Sequence, residues 1–257
     1  MNAREQWVAL GTIVRREVMR ILRIWGQTLM PPAITMTLYF LIFGTLIGSR
    51  IGTLHGYTYM QYITPGLVMM SVITNSYGNI TSSFFGAKFG RYVEEMLVSP
   101  MPPLVILGGY VTGAVLRGLL VGAIVLGLSL FFTHLTVVNP WVTASSVLLA
   151  SVVFSLAGFI NAVYARKFDD IALVPTFVLT PLTYLGGVFY SVDQLPAPWR
   201  EISHVNPILY MVSAFRDGML GAGDIALGPA YAVMLGLMLV LGWAAITLLK
   251  RGVGLRS

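Results

Sequence analysis

The sequence predicts an all-α polytopic membrane protein, with six transmembrane helices, an N-terminal amphipathic interfacial helix, and short outer helices before the last span. Three observations lead there. The 257-residue chain is 56% hydrophobic and only 10% charged, where a soluble domain carries about 25% charged residues. Uncharged runs extend from Ile24 to Ser49, Ile51 to Ala87, Met96 to Leu116, Gly118 to Ala165, Ile171 to Val192 and Ile225 to Leu249, and each exceeds the roughly 18 residues that mark a spanning helix. The basic residues between these runs fall mainly on one side of the resulting topology. A β-barrel would show short alternating segments instead.

Residues 4–25 come first. At about 100° per residue, Trp7, Leu10, Val14, Val18, Ile21 and Trp25 share one face, and Glu5, Thr12, Arg16, Arg20 and Arg23 the opposite one. That pattern predicts a helix lying in the interface, its arginines toward lipid phosphates. The start has no apolar core before its arginines, so it does not read as a cleaved signal peptide. Span 1 covers 27–48 and span 2 covers 58–86. Between span 2 and span 3 (104–132) lies the charged island "GRYVEEMLVSPMPP". Phe85, Phe89, Tyr92, Val93, Met96 and Leu97 follow helical spacing there, with Lys88, Arg91, Glu94 and Glu95 on the other side. Ser99-Pro100 stops this short helix and Pro102-Pro103 starts the next. Asn139-Pro140 separates span 3 from span 4 (142–164). Span 5 covers 171–190. The following stretch is too interrupted to cross a membrane: Pro196 and Pro198 open one short helix, and Asn206-Pro207 caps another running to Leu220. Asp224 is positioned to cap span 6, at 226–249.

Six spans put both termini on one side. Arg4, Arg15, Arg16, Arg20, Arg23, Lys88, Arg91, Arg166, Lys167, Lys250, Arg251 and Arg256 lie on the terminal side, and only Arg50, Arg200 and Arg216 on the other. The positive-inside rule makes the termini and the island cytoplasmic. Topology thus explains the net charge of +6 without a nucleic-acid partner.

Several chemistries are excluded or disfavoured. There is no cysteine, hence no disulfide and no thiolate metal site. No carboxylate falls inside a predicted span, and His55, His134 and His204 sit in outer connections, which disfavours a proton-coupled carrier. Lys88, Lys167 and Lys250 are followed by Phe, Phe and Arg, so the chain has no phosphate-binding loop of the Gly-x-x-x-x-Gly-Lys-[Ser/Thr] kind. His-Glu-x-x-His and Gly-x-Ser-x-Gly are also absent. Within the spans, Arg117 is costly at mid-membrane and should face protein or water. Ser71, Asn75, Gly78, Asn79 and Ser82 run along one side of span 2. Asn75, Asn79 and Arg117 are the candidates for a substrate pathway. Gly109, Gly113, Gly118 and Gly122, four or five residues apart on span 3, permit close helix contact.

"GGVFYSVDQLP" followed by "HVNPILYMVSAFRDG" is similar to the C-terminal signature of the ABC-2-type permeases, a Gly-Gly-x-Phe-Tyr, Leu-Pro, Asn-Pro-x-x-Tyr series ending in Arg. "YMQYITPGLVMM", "FFGAKFGRYVEEMLVSPMP" and "FDDIALVPTFVLTPLTYLGGVFY" extend the likeness along the chain, which most resembles the YadH-like group of bacterial inner-membrane permeases. Ser191 departs from the pattern, standing where many members have proline. The resemblance implies a half-transporter without catalytic residues, cofactor or metal of its own. It would pair with a second copy and with two ATP-binding cassette subunits that hold ATP and Mg, and would export a lipid, glycolipid, polysaccharide or drug across the inner membrane. It also implies that 87–99 is a coupling helix, with Phe89, Arg91, Tyr92, Glu94 and Glu95 as docking residues. Residues 4–25 would be the connecting helix, and 192–220 outer re-entrant helices carrying Pro196, Asn206, Pro207 and Arg216. A sodium-coupled carrier, and a non-transporting assembly factor or enzyme, are the alternatives.

Overall fold

The computed structural model describes residues 1–254; Arg256, counted above, lies outside them. The chain is mostly helical. Helix α1 (Ala3–Arg23) leads into α2 (Trp25–Thr28), α3 (Met30–Tyr39), a π-helical stretch Phe40–Ile47 and α4 (Gly48–Ile51). A two-stranded hairpin, β1 (Thr53–Leu54) and β2 (Tyr57–Thr58), then reverses the chain. It turns on His55 and Gly56, both with positive φ, a conformation glycine adopts without steric cost. Thr58 caps α5 (Tyr59–Phe89), and Gln61 Oε1 accepts from the Thr58 backbone N–H at 3.0 Å, a capping box. Next come α6 (Tyr92–Val98), α7 (Pro103–Ser129), α8 (Pro140–Tyr164) and α9 (Phe168–Val174). A π turn at Pro175–Leu179 joins α9 to α10 (Thr180–Tyr184), and α11 (Ala197–Val205), α12 (Pro207–Leu220) and α13 (Leu227–Arg251) complete the fold.

Among the described residues, four stretches are long and apolar enough to cross a membrane: Trp25–Ile47, Pro103–Ser129, Pro140–Tyr164 and Leu227–Arg251. Helix α5 is longer, its 31 residues spanning about 46 Å at 1.5 Å each, but it is less apolar. It occupies the centre, packed chiefly against α7 and α8. One apolar core surrounds its first half, with Tyr62, Leu67, Met69 and Phe40. A second surrounds its last turns, with Phe84, Tyr110, Phe159 and Val93. The glycines of α7 serve two neighbours. A Cβ at Gly118 or Gly122 would run into Ser76 or Val72 of α5, and one at Gly109 or Gly113 into Ile13 or Glu17 of α1.

Three expectations change. Helix α1 forms, but the face it buries is centred on Ile13, Glu17 and Ile21. The bare backbone at Gly109 and Gly113 admits that face, while Trp7 and Trp25 stay exposed. The fifth helical segment ends at Tyr184, not 190. Gly187 has a φ of +69°, and the turn after it folds against α5, where Val188 O would stand 2.5 Å from a Cβ at Gly66. Asp224 does not cap α13. Ala226 holds that position, and the carboxylate turns inward. The helix Asn206 caps, α12, is deeply buried against α8, α13 and α5, so it is a packed element of the core. Protein thus covers its interrupted backbone, as a low-dielectric setting requires.

One close approach between helices gives a stability test. At Gly158 of α8 a Cβ would lie 2.6 Å from Tyr77 O, whereas nothing lies within 4 Å of one at Gly78. Gly158→Ala is expected to destabilise the detergent-solubilised protein by about 1–3 kcal/mol through overpacking. Gly78→Ala should leave its thermal unfolding midpoint unchanged or raised.

Candidate functional site: a polar seam beside an exposed helical turn

The residues proposed for a pathway do come together. Arg117 of α7 points its guanidinium at α5, donating from Nη1 to Asn79 Oδ1 and from Nη2 to Asn75 Oδ1, each at 3.4 Å. Helix spacing produces this pair, since residues four apart share a face. Arg20 of α1 reaches the same Asn79 Oδ1 at 2.7 Å. One amide oxygen therefore joins two guanidiniums from different helices.

Glu17 completes the seam. Its side chain is 1% exposed. Ser83 Oγ donates to both of its oxygens at 2.6 and 2.7 Å, and Arg20 Nη2 to one at 3.0 Å. Arg16 donates to Tyr110 OH at 2.5 Å and lies over that ring. Sequence reasoning placed Glu17 and both arginines in the cytoplasmic interface and so missed this cluster. The available signal was spacing: Glu17 lies midway between Ile13 and Ile21, four residues from each, on the face that meets the glycines of α7.

The charged island divides differently from the expected single helix. Phe89 belongs to the last turn of α5. Arg91, at a φ of +62°, turns the chain in a left-handed conformation, and α6 begins afterwards. Its first turn carries Glu94 and Glu95, where the helix dipole favours negative charge. The turn breaks the periodicity that had grouped Lys88 with Arg91. Lys88 Nζ instead donates to Val163 O and Ala165 O at 2.6 and 2.7 Å, closing the C-terminus of α8. Val93 anchors α6 in the core, while Phe89, Arg91, Tyr92, Glu95 and Val98 are exposed and Glu94 is half-buried. Phe168 of α9 packs on Phe89 and Phe85, with ring centroids 5.0 Å apart in both pairs. The adjacent turn is held by Asp170, which accepts the backbone N–H groups of Arg166 and Lys167 at 2.8 and 2.9 Å. Those bonds hold its carboxyl below the usual range.

Of the predicted outer-helix residues, Pro196 precedes α11 and Pro207 occupies the first position of α12. Asn206 Oδ1 accepts from Ile208 N at 3.0 Å, and its Nδ2 donates to Leu182 O, tying α12 to α10. Arg216 is fully buried. It pairs with Asp224 Oδ2 at 2.9 Å, donates to Tyr62 OH at 3.0 Å, and binds Gly187 O. Ser191 donates to Asp224 Oδ1 at 2.8 Å. His55 and Asp193 stand near that carboxylate, which Arg216 already neutralises. Tyr62 could not be linked to Arg216 from sequence, because 154 residues separate the two.

The family model of ABC-2 type transporters matches residues 8–220. The chain belongs to this family. It is 58% identical over 252 residues, 98% of each chain, to inner membrane transport permease YadH of Escherichia coli K12, and equally to that of Shigella flexneri. It is 25% identical over 191 residues, 72% of this chain and 71% of the other, to nodulation protein J of Rhizobium leguminosarum bv. viciae. The match takes in the seam, the α5–α6 turn and Arg216, and it makes this ABC-2 chain a transport permease.

The Arg216 cluster supplies the second test. Arg216→Leu alone is expected to cost about 3–5 kcal/mol, since it strands a buried carboxylate. Combining it with Asp224→Leu should recover part of that loss, as read by thermal unfolding in detergent.

Proposed function

We propose that this permease is the membrane subunit of an ATP-driven exporter. Two copies associate, engage two separate ATP-binding subunits, and move an amphiphile out of the cytoplasm across a bacterial inner membrane. The observation that carries the reading is the α5–α6 turn. Exposed Phe89, Tyr92 and Val98 are mixed there with Arg91 and Glu95, and Phe168 extends the patch. Aromatic residues and arginine are the groups that carry energy in interfaces. The chain has no phosphate-binding loop, so ATP and Mg belong to the partner, which docks on Phe89, Arg91, Tyr92, Glu94 and Glu95.

Six spans suit this role. To the four apolar stretches we add α5, whose polar side chains are mostly covered by protein, and α9–α10. The excess of Lys and Arg then puts both termini and the α6 turn in the cytoplasm. The name inner membrane transport permease, carried by the relatives with 58% identity, supports the location. Motion of the partner would pass into α5 directly, because α6 is joined to it by a two-residue turn and anchored by Val93. Helix α1 serves as the connecting helix, and α11 and α12 as the outer helices.

Glu94→Lys with Glu95→Lys is expected to abolish co-purification of a co-expressed ATP-binding subunit while membrane insertion persists; undiminished co-purification would refute the docking assignment. The natural lack of cysteine makes topology directly readable. Glu95→Cys should react with a membrane-impermeant maleimide only after permeabilisation, and Arg200→Cys in intact spheroplasts.

A further inference from the structure

The seam between α1, α5 and α7 is electrically unbalanced. Arg16, Arg20 and Arg117 bring three guanidiniums to it, against the one carboxylate of Glu17. That carboxylate is already engaged by Ser83 and Arg20. Arg117 therefore meets only neutral amide oxygens, both at 3.4 Å. A guanidinium held among apolar helices without a counter-charge is unfavourable.

The unsatisfied atoms point the same way. Arg20 Nε, Arg117 Nε and Asn79 Nδ2 are buried and lack a partner. All three are donors. Asn79 is completely buried, and its orientation is set by the two guanidiniums that share its Oδ1. The complement of such a set is a group that only accepts and carries negative charge. The seam is also reachable. The Arg20 side chain is 29% exposed. Along α5, beside Asn75 and Asn79, Thr74 and Ser82 are exposed, and nothing lies within 4 Å of a Cβ at Gly78.

We infer that this seam binds the anionic headgroup, phosphate or an equivalent oxyanion, of the transported amphiphile, with Arg117 and Arg20 as its charge partners and Asn75 and Asn79 orienting them. Transport of the bound molecule rests on the exporter reading above; binding itself does not. A phosphate oxygen would replace the long amide contacts with charge-assisted hydrogen bonds and neutralise the excess positive charge. The lipid tails would lie along the open side of α5.

The test uses the full-length chain alone, in detergent, by native mass spectrometry. It is offered phosphatidic acid and phosphatidylcholine of identical acyl chains, with and without millimolar inorganic phosphate. We expect phosphatidic acid to be retained about tenfold over phosphatidylcholine, the scale of one or two charge-assisted bonds. Arg117→Gln should erase that preference, Arg117→Lys should keep part of it, and Arg15→Gln, on the exposed side of α1, should not alter it. Displacement by inorganic phosphate would support the same site with a soluble anion as occupant; resistance to it would support a headgroup held together with its tails. Equal retention of the two lipids by the unmodified chain would overturn the inference, as would equal losses in Arg15→Gln and Arg117→Gln. Because no ATP-binding subunit is present, either failure would leave the docking reading untouched.

Discussion

A central helix rich in amides and hydroxyls can lie among apolar helices only if other protein groups cover and satisfy those side chains. Helix α5 carries Ser71, Asn75, Ser76, Asn79, Thr81 and Ser83. Several return their hydrogen bonds to their own helix, as Thr81 does to Tyr77 O at 2.7 Å and Ser71 to Leu67 O at 3.0 Å. Asn75, Asn79, Ser83 and Thr81 also bond across to α7, α1 and α8, and the glycines of α7 and α8 permit that closeness. The position of α1, the burial of Glu17 and the reach of Arg117 all follow from backbone approaching backbone at these glycines.

The polar clusters lie at two levels of α5. One, at Tyr62, is closed and neutral: Arg216 and Asp224 pair, Ser191 and Tyr62 satisfy the carboxylate, and His55 stacks on the Tyr62 ring. The other, from Asn75 to Ser83, is positive and partly open. A balanced ion pair fixes the arrangement of α12, α5 and the turn after α10. The unbalanced seam has donors to spare and one side uncovered. The same long helix then ends at Arg91, where a left-handed residue hands the chain to α6. Structure that resists change is thus concentrated at one end of α5, and surface suited to partners at the other.

Much of the layout was legible in particular residues. Asn139-Pro140, Asn206-Pro207 and Ser99-Pro100 each mark the boundary observed, because caps and prolines act through local backbone geometry. The four-residue spacing of Asn75 and Asn79 placed them on one face, and the cost of a mid-membrane arginine directed Arg117 to the interior. Glu17 and Asp224 were misplaced for one reason. A carboxylate between helices is ordinarily read as wetted or capping, and the serine that completes each site, Ser83 for Glu17 and Ser191 for Asp224, lies on a distant part of the chain.

From the sequence alone follow the all-helical class, the long apolar stretches, the family signature and the lack of a Gly-x-x-x-x-Gly-Lys-[Ser/Thr] loop, because composition, local spacing and motif are properties of contiguous residues. The tertiary structure decided which face of α1 is buried, where the fifth helical segment stops, that α12 is a core element, and that Arg20 and Arg117 share one amide oxygen. These depend on close approaches between residues distant in sequence, and the free energy of burying a charge is set by the neighbours that folding brings to it.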